Sequence, residues 1–162
     1  IEAAANAELV AVASRDPERA RELGSFRVVD GYQGLVDDAE VDAVYIPLPN
    51  SLHREWTLKA LAAGKHVLCE KPLALDAAEA EEMTTAASSS GRLLMEAVMY
   101  RFHPRIQAVV EGLRKGPPAA IWASFGFPLA APGNYRLDPQ LGGRPLLAFG
   151  PYPLSHARWL YG

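Results

Sequence analysis

The chain has 162 residues, 49% hydrophobic and 22% charged, with a net charge of −3, the make-up of an ordinary globular protein with one core and part of another. Its mild acidity argues against nucleic acid or an anionic membrane as a partner. No apolar run approaches the roughly 18 residues of a spanning helix and no signal peptide is visible, and a single cysteine, Cys69, in a predicted buried strand points to a reducing, cytoplasmic setting.

Residues Ile1 to Ala7 look like part of a helix, and a start at Ile rather than Met reads as a fragment, or as a trimmed or mispredicted reading frame. Glu8 to Ser14 reads as a strand. Asp16 then caps a helix with Pro17 at its first position, and Gly24 is expected to end it. A short strand at Val28-Val29 and a short helix from Tyr32 to Asp37 follow. Asp42 to Ile46 is a second clear strand, closed by Pro47-Leu48-Pro49-Asn50. Leu52 to Ala63 forms a helix with Leu52, Trp56 and Leu61 near one face. Gly64 stops that helix, because glycine takes a left-handed conformation without a Cβ penalty. His66 to Cys69 is then too short and apolar for anything but a buried parallel strand. Its cysteine, the only one in the chain, reads as a small core hydrophobe rather than a redox group.

Asp76 with Glu79 opens a helix in capping-box fashion that runs to about Ser89 and ends at Gly91. Leu93 to Ala97 is another strand and Pro104 to Arg114 another helix. Strand–helix alternation with short loops predicts an α/β fold, a Rossmann-like parallel sheet with helices on both faces. The pattern changes after Lys115-Gly116-Pro117-Pro118. Ala119 to Phe127 alternates like an antiparallel strand, an irregular stretch follows, and a last helix runs from Leu146 to Tyr161, perturbed by Gly150, Pro151 and Pro153. The boundary near Gly116 divides a partial dinucleotide-binding domain, residues 1–115, from the start of an α+β domain with an open antiparallel sheet, residues 116–162.

Glu70 and Lys71 fall just beyond the His66–Cys69 strand, where open α/β sheets bind ligands. A lysine held there beside a carboxylate is a candidate proton-transfer group; otherwise it is a surface lysine opening a loop. Four stretches carry a family resemblance in order: Val12 to Asp16, Val44 to His53, Gly64 to Pro72, and Asn134 to Pro139 followed by Leu141-Gly142-Gly143. With them the chain resembles the glucose-fructose oxidoreductase / inositol dehydrogenase (Gfo/Idh/MocA) family, nearest its trans-1,2-dihydrobenzene-1,2-diol dehydrogenase and D-xylose dehydrogenase-like branch. The resemblance spans nearly the whole chain, but only roughly the middle half of a family member. It implies hydride transfer between NAD(P) and a CH–OH carbon of a sugar, polyol or diol, by a protein that forms a homo-oligomer, a dimer, when complete.

The same resemblance assigns residues. Lys71 is the catalytic acid–base and Tyr152 the second catalytic candidate. Ser14 and Arg15 meet the adenosine ribose, where an arginine pairs with a 2′-phosphate and so favours NADP, with NAD as the alternative. Leu48, Pro49, Asn50 and His53 line the nicotinamide-ribose side, with Glu70, Pro72 and Arg101 also at the cofactor. His103, Asn134 and Arg136 are substrate residues. Each has a plainer role open to it: Asn50 as a turn residue, His53 as an exposed histidine, Tyr152 as an amphipathic aromatic. No histidine–cysteine spacing suggests a metal site.

Three departures from the family pattern stand out. The first strand and glycine-rich phosphate loop would precede Ile1. Relatives carry an acid where Ala148 stands, and Pro145 and Pro151 replace backbone donors. Strands of the second domain would follow Gly162. The competing readings are therefore a non-catalytic relative that binds a nucleotide or sugar, or a truncated piece without activity.

Overall fold

The computed structural model describes all residues except Glu2, Leu23, Ser25, Pro117, Phe127, Leu129, Ala130, Ala131 and Pro132. Two parallel sheets organise it. In the first, β1 (Ala11–Ser14) pairs with β2 (Arg27–Asp30), joined by α1 (Pro17–Arg21). After α2 (Gly31–Val36) comes the second, with β3 (Ala43–Ile46), β4 (His66–Cys69) and β5 (Leu94–Glu96) in that order. Their crossovers are α3 (His53–Ala62) and α4 (Ala77–Ser90). The expected α/β, Rossmann-like class is what forms. A cavity of about 710 Å³ lies between the sheets, lined by residues of both β1 and β3.

The core sits between the second sheet and its helices. Val44, Ile46, Val67 and Cys69 point from the strands toward Ala60, Leu61 and Ala87 on α3 and α4, with Val36 and Val41 closing one end. Burying a side chain the size of Leu61 is worth about 1.5–3 kcal/mol. The opposite face differs from the expectation of a fully buried strand. Tyr45, Leu68 and Met95 stand side by side in register and keep 44%, 38% and 42% of their surface exposed. Among the described residues, β4 is therefore covered on one face only.

Helix ends follow local chemistry. The Asp16 side chain accepts from Arg19 N, and Asp76 accepts from Glu79 N at 2.9 Å, as expected. Glu79 in turn accepts from Leu75 N at 2.9 Å, one residue before the expected reciprocal partner. Gly64 and Gly91 both have positive φ, +77° and +65°, where α3 and α4 stop. Gly24 does not play that part: α1 ends at Arg21, three residues earlier. On α3 the buried positions are His53, Thr57, Ala60 and Leu61, an i, i+4, i+7, i+8 stripe rather than the Leu52–Trp56–Leu61 face. Trp56 instead packs edge-on against Tyr32, ring centroids 5.1 Å apart.

Three other expectations are corrected. Among the described residues of 1–7 there are turns and no helix, since so short a segment with Ile1 exposed has no face to pack. Residues 119–126 form no strand, because no neighbour offers a ladder; Trp122 is 96% exposed and Phe127 lies outside the described residues. The last helix is two, α6 (Pro145–Phe149) and α7 (Pro151–Tyr161), after α5 (Pro104–Arg114). Pro151 has no N–H to continue the ladder. Gly150 sits at the break, where a Cβ would lie 2.4 Å from the Leu146 carbonyl oxygen.

Candidate active site at the end of β4

The second sheet delivers Glu70 and Lys71 to its carboxyl edge. The Glu70 N–H still donates to Ile46 O at 3.0 Å, so the strand ladder fixes the residue before the loop departs. Glu70 Oε1 accepts from the Tyr45 hydroxyl at 2.8 Å, and Oε2 accepts from Lys71 N at 3.1 Å. The Lys71–Pro72 peptide is cis. Lys71 Nζ donates to the Ala148 carbonyl at 2.7 Å and lies 5.0 Å from the centre of the Tyr152 ring.

These groups line a cavity of about 470 Å³, together with Pro47, Leu48, Asn50, Phe125, Tyr135 and Arg136. That volume is typical of a small-molecule site. Partial burial pushes the Lys71 ammonium below its ordinary value; Glu70 opposes the shift and Arg136 adds to it. The Tyr152 phenol moves up, through burial and then the charge of Glu70. Tyr45 rises to about 12 through burial and its bond to Glu70. Near neutral pH the site thus holds two protonated phenols and a lysine that yields its proton more readily than a free one.

The far wall depends on close backbone approach. Gly142 has φ +76°, and a Cβ there would fall 2.6 Å from Leu75 and 2.8 Å from Asn50. A Cβ on Gly143 would lie 2.2 Å from the Tyr135 oxygen. Glycines therefore let the turn carrying Tyr135 and Arg136 dock on the loop after β3. Asn50, buried, locks the contact by donating Nδ2–H to Gly142 O at 3.0 Å.

Lys71, Tyr152, Leu48, Asn50, Glu70 and Arg136 meet at this cavity, while other expected site residues are placed elsewhere. His53 is fully buried, with its ring nitrogens 2.8 Å from the carbonyls of Pro72 and Leu48. It ties the two loops that frame the site and has no surface left for a ligand. Pro72 is buried behind Lys71, and Pro49 does not line the cavity. Arg101 lies over Trp159, 5.0 Å from its ring centre. His103 caps α5 by accepting from Arg105 N. Asn134 accepts from Arg136 N, so its side chain shapes the turn. Ser14 lines the inter-sheet cavity and accepts from Asp16 N, and Arg15 is exposed beside it.

Tyr45 was missed from sequence. It points outward from β3, and at the last outward position before the loop its hydroxyl reaches Glu70. Tyr45, Pro47 and Leu48 line both cavities. Cys69 is wholly buried and its thiol is pushed up to about 12 by burial, as a core hydrophobe should be. Among the described residues no group of three or more His, Cys, Asp or Glu is placed to hold a metal ion, and no helix is long and apolar enough to cross a membrane.

The D-xylose 1-dehydrogenase (NADP(+)) 2 of Haloferax volcanii is 40% identical over 162 residues, covering 96% of this chain and 50% of that protein. The trans-1,2-dihydrobenzene-1,2-diol dehydrogenase of Sus scrofa is 37% identical over 162 residues, 96% of this chain and 48% of its own length. The crystal structure of KijD10, a 3-ketoreductase from Actinomadura kijaniata in complex with NADP and TDP-benzene, matches with a TM-score of 0.86 at 41% identity. It covers 96% of this chain and 50% of that one. The chain spans about half the length of the curated relatives it matches. The profile of the oxidoreductase family with an NAD-binding Rossmann fold matches residues 1–98, and the chain belongs to that Gfo/Idh/MocA family.

Proposed function

We propose that this chain carries the hydride-transfer site of an NAD(P)-dependent oxidoreductase acting on a CH–OH or carbonyl carbon of a sugar, polyol or diol. The observation that carries the reading is Lys71: a half-buried ammonium with a lowered pKa, at the mouth of a parallel sheet, beside a phenol and a carboxylate.

A dinucleotide fits the residues present. Ser14 stands on one cavity, Lys71 on the other, and Tyr45, Pro47 and Leu48 border both. Glu70, Leu48 and Lys71 would hold the nicotinamide-ribose end, and Ser14 and Arg15 the adenosine ribose. The exposed guanidinium of Arg15 favours the 2′-phosphate of NADP over the free hydroxyl of NAD. Bound there, the nicotinamide supplies or accepts the hydride.

The chain's own residues manage the proton. For oxidation, neutral Lys71 Nζ takes the proton of the substrate hydroxyl, and Glu70 stabilises the ammonium that results. For reduction, the ammonium gives that proton back to the carbonyl oxygen. Tyr152, held protonated, donates a hydrogen bond to the same oxygen. A base whose pKa lies nearer the working pH makes both transfers easier.

Two further readings belong with this one. Residues 1–115 act as the cofactor unit and 116–162 begin the substrate unit. The complete protein works as a cytoplasmic homodimer.

The test is a fluorescence titration with NADPH and NADH, followed by turnover of xylose and a dihydrodiol by wild type and Lys71→Ala. NADPH binds more tightly than NADH, and the variant keeps most of its cofactor affinity, the contact to the ribose being lost, while turnover falls by about 10²–10⁴-fold. Absence of binding to either cofactor, or unchanged turnover, contradicts the proposal.

A further inference from the structure

Arg136 shares the cavity with Lys71, Glu70 and Tyr152, yet its guanidinium has no acidic partner among the described residues. Its backbone N–H is taken by Asn134, and its Cζ rests 4.6 Å from the ring centre of its neighbour Tyr135. Among the described residues the only carboxylate lining the cavity is Glu70, whose two oxygens already accept from Tyr45 and from Lys71 N. The lining therefore holds two cationic side chains, Lys71 and Arg136, against one anion.

The turn that carries Arg136 is fixed. It lies so close to Gly143 that a Cβ there would be 2.5 Å from the Arg136 carbonyl carbon, and Asn50 ties the following Gly142 to the opposite loop. The guanidinium is thus presented from a rigid base, and its charge is near enough to bear on Lys71 and Tyr152. A planar fork of N–H donors suits carboxylate and phosphate oxygens, which it binds in pairs. A neutral polyol would leave this cation without a counter-charge.

We propose that the cavity selects substrates bearing an anionic group, a sugar phosphate or sugar acid, with Arg136 as the residue that binds the anion. This rests on the sugar or diol reading above and narrows its substrate class.

The test compares glucose 6-phosphate with glucose by calorimetry on the wild-type chain, Arg136→Met and Arg136→Lys, with circular dichroism to verify folding. NADPH affinity is measured in parallel. Wild type should prefer the phosphate. Arg136→Met should lose about tenfold to a hundredfold of that preference, the loss falling mainly on glucose 6-phosphate. Arg136→Lys should fall between them, since it keeps the charge but not the fork. NADPH affinity should stay unchanged. Equal binding of the two sugars by wild type, or no binding of either, overturns the proposal. A variant that loses NADPH affinity with the sugar preference intact also overturns it, because the anion is then the cofactor's. Failure of wild type to bind NADPH is a separate result and bears on the oxidoreductase reading alone.

Discussion

The two walls of the Lys71 cavity are built on different principles. The wall with Tyr45, Glu70 and Lys71 stands on strand ends whose positions are set by ladder hydrogen bonds and a dry core. The wall with Tyr135, Arg136 and Ala148 stands on short turns and a five-residue helix, held by glycine contacts and the Asn50 amide. The proton-transferring lysine and its carboxylate occupy the first, and the guanidinium, without an acidic partner among the described residues, the second, while Tyr152 reaches in from α7. Chemistry has been given the stiffer support, and recognition the wall that sequence change reshapes most easily.

His53 tests the first wall. His53→Leu removes the imidazole wedged between the Pro72 and Leu48 carbonyls, at about 2–5 kcal/mol for the lost hydrogen bonding and packing. Chemical denaturation should show that loss, and turnover should fall with it because both framing loops are released. Gly143→Ala tests the second wall and should cost about 1–3 kcal/mol, since the new methyl collides with backbone that is not free to yield. Substrate affinity should drop, while a NADPH titration stays near wild type. Equal effects on both ligands would erase the distinction between the walls.

The smallest effects are on pH. Lys71 deprotonates below the ordinary lysine value, so alcohol oxidation should rise, and carbonyl reduction fall, as pH climbs through that lowered point. The Glu70 charge holds the ammonium up and the Arg136 charge pushes it down. Glu70→Gln should therefore move the limb to lower pH and Arg136→Met to higher pH. Profiles that move together, or not at all, would mean that another group sets the limb.

Much of the stiffer wall was legible in the sequence. Gly64 stopping a helix, four apolar residues, then Glu70-Lys71-Pro72 placed the lysine at a strand end, and Asp76 with Gly91 bounded the next helix. The purpose of His53 was not legible. It occupies an unremarkable first helical turn, and only the arrival of carbonyls from residues 48 and 72 gives it one. Residues 119–126 misled for a related reason: alternation marks a strand only when an edge is there to receive it. The unpaired state of Arg136 is likewise a fact about distant neighbours, invisible in Asn134-Tyr135-Arg136.

Cys69 abuts Glu70 yet keeps its sulfur sealed beneath α3 and α4, with a thiol that stays protonated to about 12. Alkylating reagents and mild oxidants meet no thiolate in the folded chain. The same atom becomes reactive once those helices lift from the sheet. A single cysteine so placed is a natural clock for opening of the core: its labelling rate records how often the foundation beneath Lys71 comes apart.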